Sequence, residues 1–144
     1  MPRFDHSVVI RTDKETAFDL TQDYQRRLSW DPFLREAKLV DSASAKLGAH
    51  AWCVDRIGLG METVYVSFQR PDVAAVVMTK GPRIIGKFAA SWRFKTEDDR
   101  IRVVFTYFVK VNRSISLLEP LIVAVFSREM KIRLKCLKQA LELN

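Results

Sequence analysis

The spacing of apolar positions changes character along this chain, and the changes divide it into elements. Phe4, His6, Val8 and Ile10 alternate with Asp5, Ser7, Val9 and Arg11, a period of two that predicts a first strand. Thr12-Asp13-Lys14-Glu15-Thr16 then supplies an N-cap and first-turn acids, and Ala17, Phe18 and Leu20 give the helix it opens an apolar side. Residues 23–28 read as a second short helical piece. Ser29-Trp30-Asp31-Pro32 closes it, because the residue before a proline is pushed out of the helical region. From Phe33 onward strands and turns take over. Strands are predicted at 36–41, at 49–57 and 61–69 as a hairpin around Gly58-Leu59-Gly60, at 73–80, at 86–96 and at 100–111. In the last two, Lys87, Arg93, Lys95, Arg102 and Lys110 mark the wet face. That parity turns Phe88, Ala90, Trp92 and Phe94 inward, together with Ile101, Val103, Phe105, Tyr107, Val109 and Val111.

Residues 116–143 return to a helical period. Ser116-Leu117-Leu118-Glu119 has the form of a capping box, and Pro120 is tolerated where first-turn N–H groups have no intrahelical partner. Met130, Leu134, Leu137 and Leu141 recur on one side, with Arg128, Lys131, Lys135 and Lys138 on the other. Residues 117–126 are apolar on nearly every side and so need cover from protein, a bound apolar ligand or a second subunit. Leu118, Leu121, Ile122 and Val125 form the stripe expected to face the sheet. The order of strand, two short helices, six strands and a long terminal helix predicts an α+β fold with an antiparallel sheet, its aromatic face covered by that helix.

A chain of 144 residues with 48% apolar and 28% charged positions predicts one domain, 1–144, with a real core. Its first ten residues are too polar for a secretory signal and no stretch is long enough to span a bilayer, so a cytoplasmic protein is expected. Cys53 and Cys136 then read as reduced thiols. The net charge of +7 suits an anionic partner, yet much of the excess sits on the solvent side of the last helix. Nucleic acid is not expected, since the cations are not interleaved with exposed aromatics. Nucleophile-elbow, zincin, paired-cysteine and nucleotide-loop motifs are absent, and Gly58-Leu59-Gly60 lacks the rest of a dinucleotide fingerprint. His6 and His50 are isolated on strands. No metal site and no cofactor are predicted.

Several segments together resemble the START-like superfamily, also called Bet v 1-like, SRPBCC or helix-grip, and within it the bacterial polyketide cyclase/dehydrase and lipid-transport group. They are the first strand running into Thr12-Asp13-Lys14-Glu15-Thr16-Ala17-Phe18, then Leu28-Ser29-Trp30-Asp31-Pro32, Arg70-Pro71-Asp72, Ser91-Trp92-Arg93-Phe94, and Leu118-Glu119-Pro120-Leu121 through to Glu142. The resemblance covers essentially the whole chain. It implies a seven-stranded antiparallel sheet gripping the C-terminal helix, two short helices after the first strand, and a hydrophobic cavity between sheet and helix. Trp30 would pack the short helices onto the sheet.

On that scaffold the first functional expectation is a domain that binds or carries a small hydrophobic molecule such as a lipid, an isoprenoid quinone or an aromatic polyketide. A polyketide cyclase/dehydrase (aromatase) using the same cavity is the enzyme alternative. A protein or membrane interaction module, using the apolar start of the last helix, is the third. Trp52, Tyr65, Trp92, Phe105 and Tyr107 are candidate cavity residues from the sheet, and Leu118, Ile122 and Val125 from the helix; each could equally fill core. Some cyclases of the group set a pocket arginine beside tyrosine and tryptophan to polarise a carbonyl. No arginine is matched to that role here: Arg56 lies near a strand end and Arg83 in a loop. Tyr107, His50 and Arg56 are the candidates for acid–base work. Ile84 and Ile85, in the glycine-bounded segment 81–86, suit the lip of a cavity mouth. Transient membrane contact and a homodimer both stay open.

Overall fold

In the computed structural model, which describes residues 2–143, the strands run where alternation and turn residues place them. β1 is Arg3–Ile10, β2 Leu34–Leu39, β3 His50–Asp55, β4 Gly60–Gln69, β5 Val73–Lys80, β6 Ile85–Glu97 and β7 Arg100–Val111. They form one seven-stranded sheet in the order β1-β7-β6-β5-β4-β3-β2, each neighbouring pair antiparallel. The first two strands of the chain are thus the two edges. Register shifts in the β4–β5 pairing, at Glu62/Thr63 and Tyr65/Ser67, add the local bending that lets the sheet curl.

Between the edge strands run α1, Lys14–Gln22, and α2, Arg27–Trp30. Asp13 caps α1, its carboxylate accepting from the Thr16 N–H at 2.7 Å and the Thr16 hydroxyl at 2.9 Å. α2 begins later than the expected 23–28, because Asp23 turns the chain by accepting from the Gln25 N–H at 3.0 Å. Asp31, in an extended conformation before Pro32, ends it.

The long helix α3 spans Glu119–Glu142 and packs chiefly along β1 and β7. Its expected capping box does not form. Ser116 lies inside a 3-10 segment, Arg113–Leu118, that Asn112 caps by accepting from the Ser114 N–H at 3.1 Å. Glu119 reaches instead to the end of β7, accepting from the Val111 N–H at 3.2 Å. Pro120 sits in the first turn, as its missing N–H allows.

The buried apolar side chains, Ala51 and Val54 on β3 apart, make one cluster, with the inward residues of β6 and β7 as its floor and Met130, Leu134, Leu137 and Leu141 pressed on it. The first half of α3 departs from expectation. Leu121 is 63% exposed and Val125 51%, and Leu117, just ahead of the helix, is 95% exposed, while Ile122 and Phe126 are the half-buried residues that lean on the core. The helix is therefore rotated from the stripe of Leu118, Leu121, Ile122 and Val125, and no polar face in 117–126 exists to fix that rotation from sequence.

Candidate ligand-binding site

Inside the curl of the sheet lies a cavity of about 130 Å³. An engineered apolar cavity of similar size admits a benzene ring, so the space suits one ring or the end of a chain. Its apolar wall comes from alternate positions of the central strands, including Tyr65, Val76, Phe88, Trp92, Phe105 and Tyr107, with Phe126 from α3. Trp92 and Phe105 are directly opposed across β6 and β7, and their rings stack at 3.8 Å between centroids. Trp30 meets Trp92 edge-on at 6.2 Å, tying α2 to the sheet. Pro82, Ile84 and Ile85 also line the space, in keeping with the lip that the glycine-bounded segment suggested.

One end of the cavity is polar. Asp31, 1% exposed, is bonded by two buried arginines. Arg133 donates from Nε to Asp31 Oδ1 at 3.1 Å and from Nη2 to Oδ2 at 2.9 Å, and Arg27 donates from Nε to Oδ2 at 2.8 Å. The Phe33 N–H adds a bond to Oδ1 at 3.1 Å. Arg133 Nη1 donates a short hydrogen bond to the Tyr107 hydroxyl oxygen. Aromatic faces cover both guanidinium groups: Arg133 lies 4.9 Å from the Phe33 centroid and 5.1 Å from that of Phe105, and Arg27 5.1 Å from that of Trp30. Burial alone would raise the Asp31 carboxyl, but Arg133 and then Arg27 outweigh it and hold the group down to about 2. Burial likewise opposes charge on both arginines, and Asp31 more than restores it.

A second polar group sits beside the first. The Tyr65 hydroxyl donates to Gln22 Oε1 at 2.6 Å, so its oxygen accepts from the Tyr24 hydroxyl 3.1 Å away. Burial pushes the Tyr24, Tyr65 and Tyr107 hydroxyls and the Cys53 thiol up from their ordinary values.

Of the residues expected at the cavity, Tyr65, Trp92, Phe105 and Tyr107 line it. Trp52 does not: it lies on the outer face of the β3–β4 hairpin, so close over Gly60 that a Cβ there would sit 2.4 Å from its ring. Leu118 and Val125 point to solvent, and Ile122 packs on the core without lining the cavity. His50 is also on the outer face, its Nδ1 3.4 Å from Glu62, and Arg56 is exposed with Glu129 at 3.6 Å. Neither joins Tyr107. The arginines beside Tyr107 and Trp92 are instead Arg133 and Arg27, and with Asp31, Gln22 and Tyr24 they were not singled out from sequence. Arg133 carried a readable signal, three residues after Met130 and four before Leu137 on the buried stripe. Among the described residues, no group of three or more His, Cys, Asp or Glu side chains is placed to hold a metal ion, and no helix is long and apolar enough to cross a membrane.

Residues 1–142 match the family model described as polyketide cyclase / dehydrase and lipid transport. The chain belongs to this family. Among solved structures, the Zhui aromatase/cyclase from Streptomyces sp. R1128 superposes with a TM-score of 0.84 at 14% identity, covering 98% of this chain and 93% of that one. A START superfamily protein from Mycobacterium smegmatis gives a TM-score of 0.81 at 12% identity, covering 98% and 97%. At such identities the likeness is one of fold, the helix-grip arrangement of a curled sheet around a C-terminal helix. No curated protein matches the chain. The family thus accounts for the scaffold and includes both catalysts and carriers, leaving the activity to be argued from the cavity.

Proposed function

We propose that this protein binds or carries a small hydrophobic molecule in the cavity between its sheet and α3. The observation that carries the reading is an aromatic-walled cavity with a polar end, the architecture that buries an apolar body while orienting it by a few fixed donors. Native mass spectrometry of protein purified from its own host tests it directly: a co-purifying small molecule is expected, released on unfolding. Trp92→Ala, in the middle of the wall, should change the affinity of an apolar ligand in a variant that stays folded. Unchanged affinity would remove Trp92 from the binding wall.

One observation favours catalysis as a second reading. Because the Tyr107 oxygen accepts from Arg133, the tyrosine proton remains free to be donated to a ligand carbonyl, and the guanidinium makes that proton more acidic in the hydrogen-bonding sense. A cyclase or dehydrase working on a poly-β-keto substrate needs such a donor. Incubation with a poly-β-ketone mimic should then show turnover that falls by about 10²-fold or more in Tyr107→Phe. No acceleration over buffer for a range of mimics leaves the carrier reading alone.

A further inference from the structure

The charges at the polar end of the cavity do not balance. Arg27 and Arg133 are both buried and both bonded to one carboxylate, Asp31, which leaves one positive charge over. Asp31 has no capacity left to offer, with donors from Phe33, Arg27 and Arg133 already on its oxygens. Neither of the two other carboxylates nearby is paired with these arginines. Asp55 accepts from the Ile57 and Leu59 N–H groups at 3.1 and 2.9 Å, in the β3–β4 turn, and Glu129 has one oxygen 3.6 Å from exposed Arg56 and the other, Oε2, buried with no hydrogen bond among the described residues. Tyr24, Tyr65, Tyr107 and Cys53 are held neutral by burial, so none of them supplies a negative charge. The unspent donors are equally specific. Arg27 uses Nε on Asp31 and Nη1 on the Thr21 carbonyl at 3.1 Å, and among the described residues no acceptor is bonded to its Nη2. Both guanidinium groups border the cavity.

We infer that the ligand of this cavity carries a single oxyanion on its apolar body, seated against Arg27 and Arg133. The inference rests on the binding function proposed above and adds the chemical class of the ligand. A neutral carbonyl would satisfy an N–H but leave the buried charge uncompensated, whereas a carboxylate or sulfonate does both. Guanidinium forks match the planar geometry of such a group, and the low polarity of the aromatic surround strengthens the pairing. An inorganic anion would satisfy the arginines but leave the ring-lined wall without a partner. The shared chemistry admits an aliphatic acid or an aromatic acid.

Two matched pairs separate the terms: 3-phenylpropionate against 3-phenylpropionamide, and octanoate against octanamide, each titrated into the protein by calorimetry at pH 7. In at least one pair the acid should bind about tenfold or more tightly than its amide, equivalent to about 1.4 kcal/mol. The pair with the larger ratio tells an aromatic source from an aliphatic one. Arg27→Gln leaves Asp31 paired with Arg133 and the cluster neutral, and should bring the acid-to-amide ratio close to one in a variant shown folded by near-UV circular dichroism. Arg133→Gln, which leaves the Arg27–Asp31 pair, provides the second version of the same test. Wild-type ratios near one in both pairs overturn the inference while leaving the cavity as a neutral-ligand site. A preference that survives both substitutions also overturns it. Binding of none of the four compounds overturns the cavity reading on which it stands.

Discussion

The two halves of α3 use similar apolar side chains and end in opposite surroundings. In the C-terminal half Met130, Leu134, Leu137 and Leu141 are buried, with Arg133 among them; in the N-terminal half Leu121 and Val125 are open to solvent. The difference lies in what stands across from each half. The later turns press on β1 and β7, whereas nearer the start Phe126 borders the cavity and the outer flank, with Leu121 and Val125, is exposed. Apolar content alone does not bury a helix. A charged residue inside the packed half and a leucine outside the open half both follow from the surroundings: Arg133 has Asp31 waiting under the helix, and Leu121 is largely exposed among the described residues.

The contrast is tested most severely at Asp31. Asp31→Asn leaves Arg27 and Arg133 buried without a counter-charge, a change that typically costs about 3–5 kcal/mol. Urea denaturation should show this as the largest loss among single substitutions along the helix and its contacts. A loss no greater than that of a surface change would mean that the packed half of α3 does not depend on its ion cluster.

Leu137→Ala comes next, because a fully enclosed leucine leaves a void worth about 2–5 kcal/mol when truncated. Ile122→Ala, beside the cavity and half-buried, should lose less. Equal shifts in denaturation midpoint would erase the distinction between the two halves.

Acid should sharpen the same contrast by a smaller amount. Asp31 is held down to about 2 in the folded protein against an ordinary 3.8, so the unfolded chain takes up its proton first. The stability it contributes is complete above about pH 4 and is lost as pH falls toward about 2, on the order of 2 kcal/mol. Stability curves of the wild type and Asp31→Asn should therefore converge over that interval; curves that stay parallel would assign the acid sensitivity to other carboxylates. The smallest effect belongs to the open half, where Leu121→Gln should change stability by no more than about 0.5 kcal/mol. A loss comparable to that of Leu137→Ala would show that Leu121 is covered in solution.

Local pattern carried most of the scaffold. β5 and β7 begin and end where the turns at Arg70-Pro71-Asp72 and Glu97-Asp98-Asp99 predict, and the inward parity of Trp92, Phe105 and Tyr107 follows from Arg93 and Arg102 facing out. The start of α3 was less legible, since Ser116 satisfies the capping pattern but Asn112 and Glu119 satisfy the backbone instead. The polar end of the cavity was hidden for a different reason. Asp31 and Arg133 stand 102 residues apart, and each has an ordinary local role available, one as the residue before a proline and the other as a helix cation. Charges that meet only through the fold leave no periodic trace. Trp52 shows the converse, an aromatic in a plausible strand whose parity puts it on the outside.

The placement of β1 and β2 at opposite edges of the sheet also governs how the molecule comes into being. On the ribosome β1 emerges first but pairs with β7, so it must stay unpaired until nearly all of the sheet has been made. Asp31 waits longer still, because the arginine from α3 is translated after the last strand. The chamber therefore cannot exist in a nascent chain that lacks α3: its floor, its roof and its charged end are completed together, only once that helix has been translated.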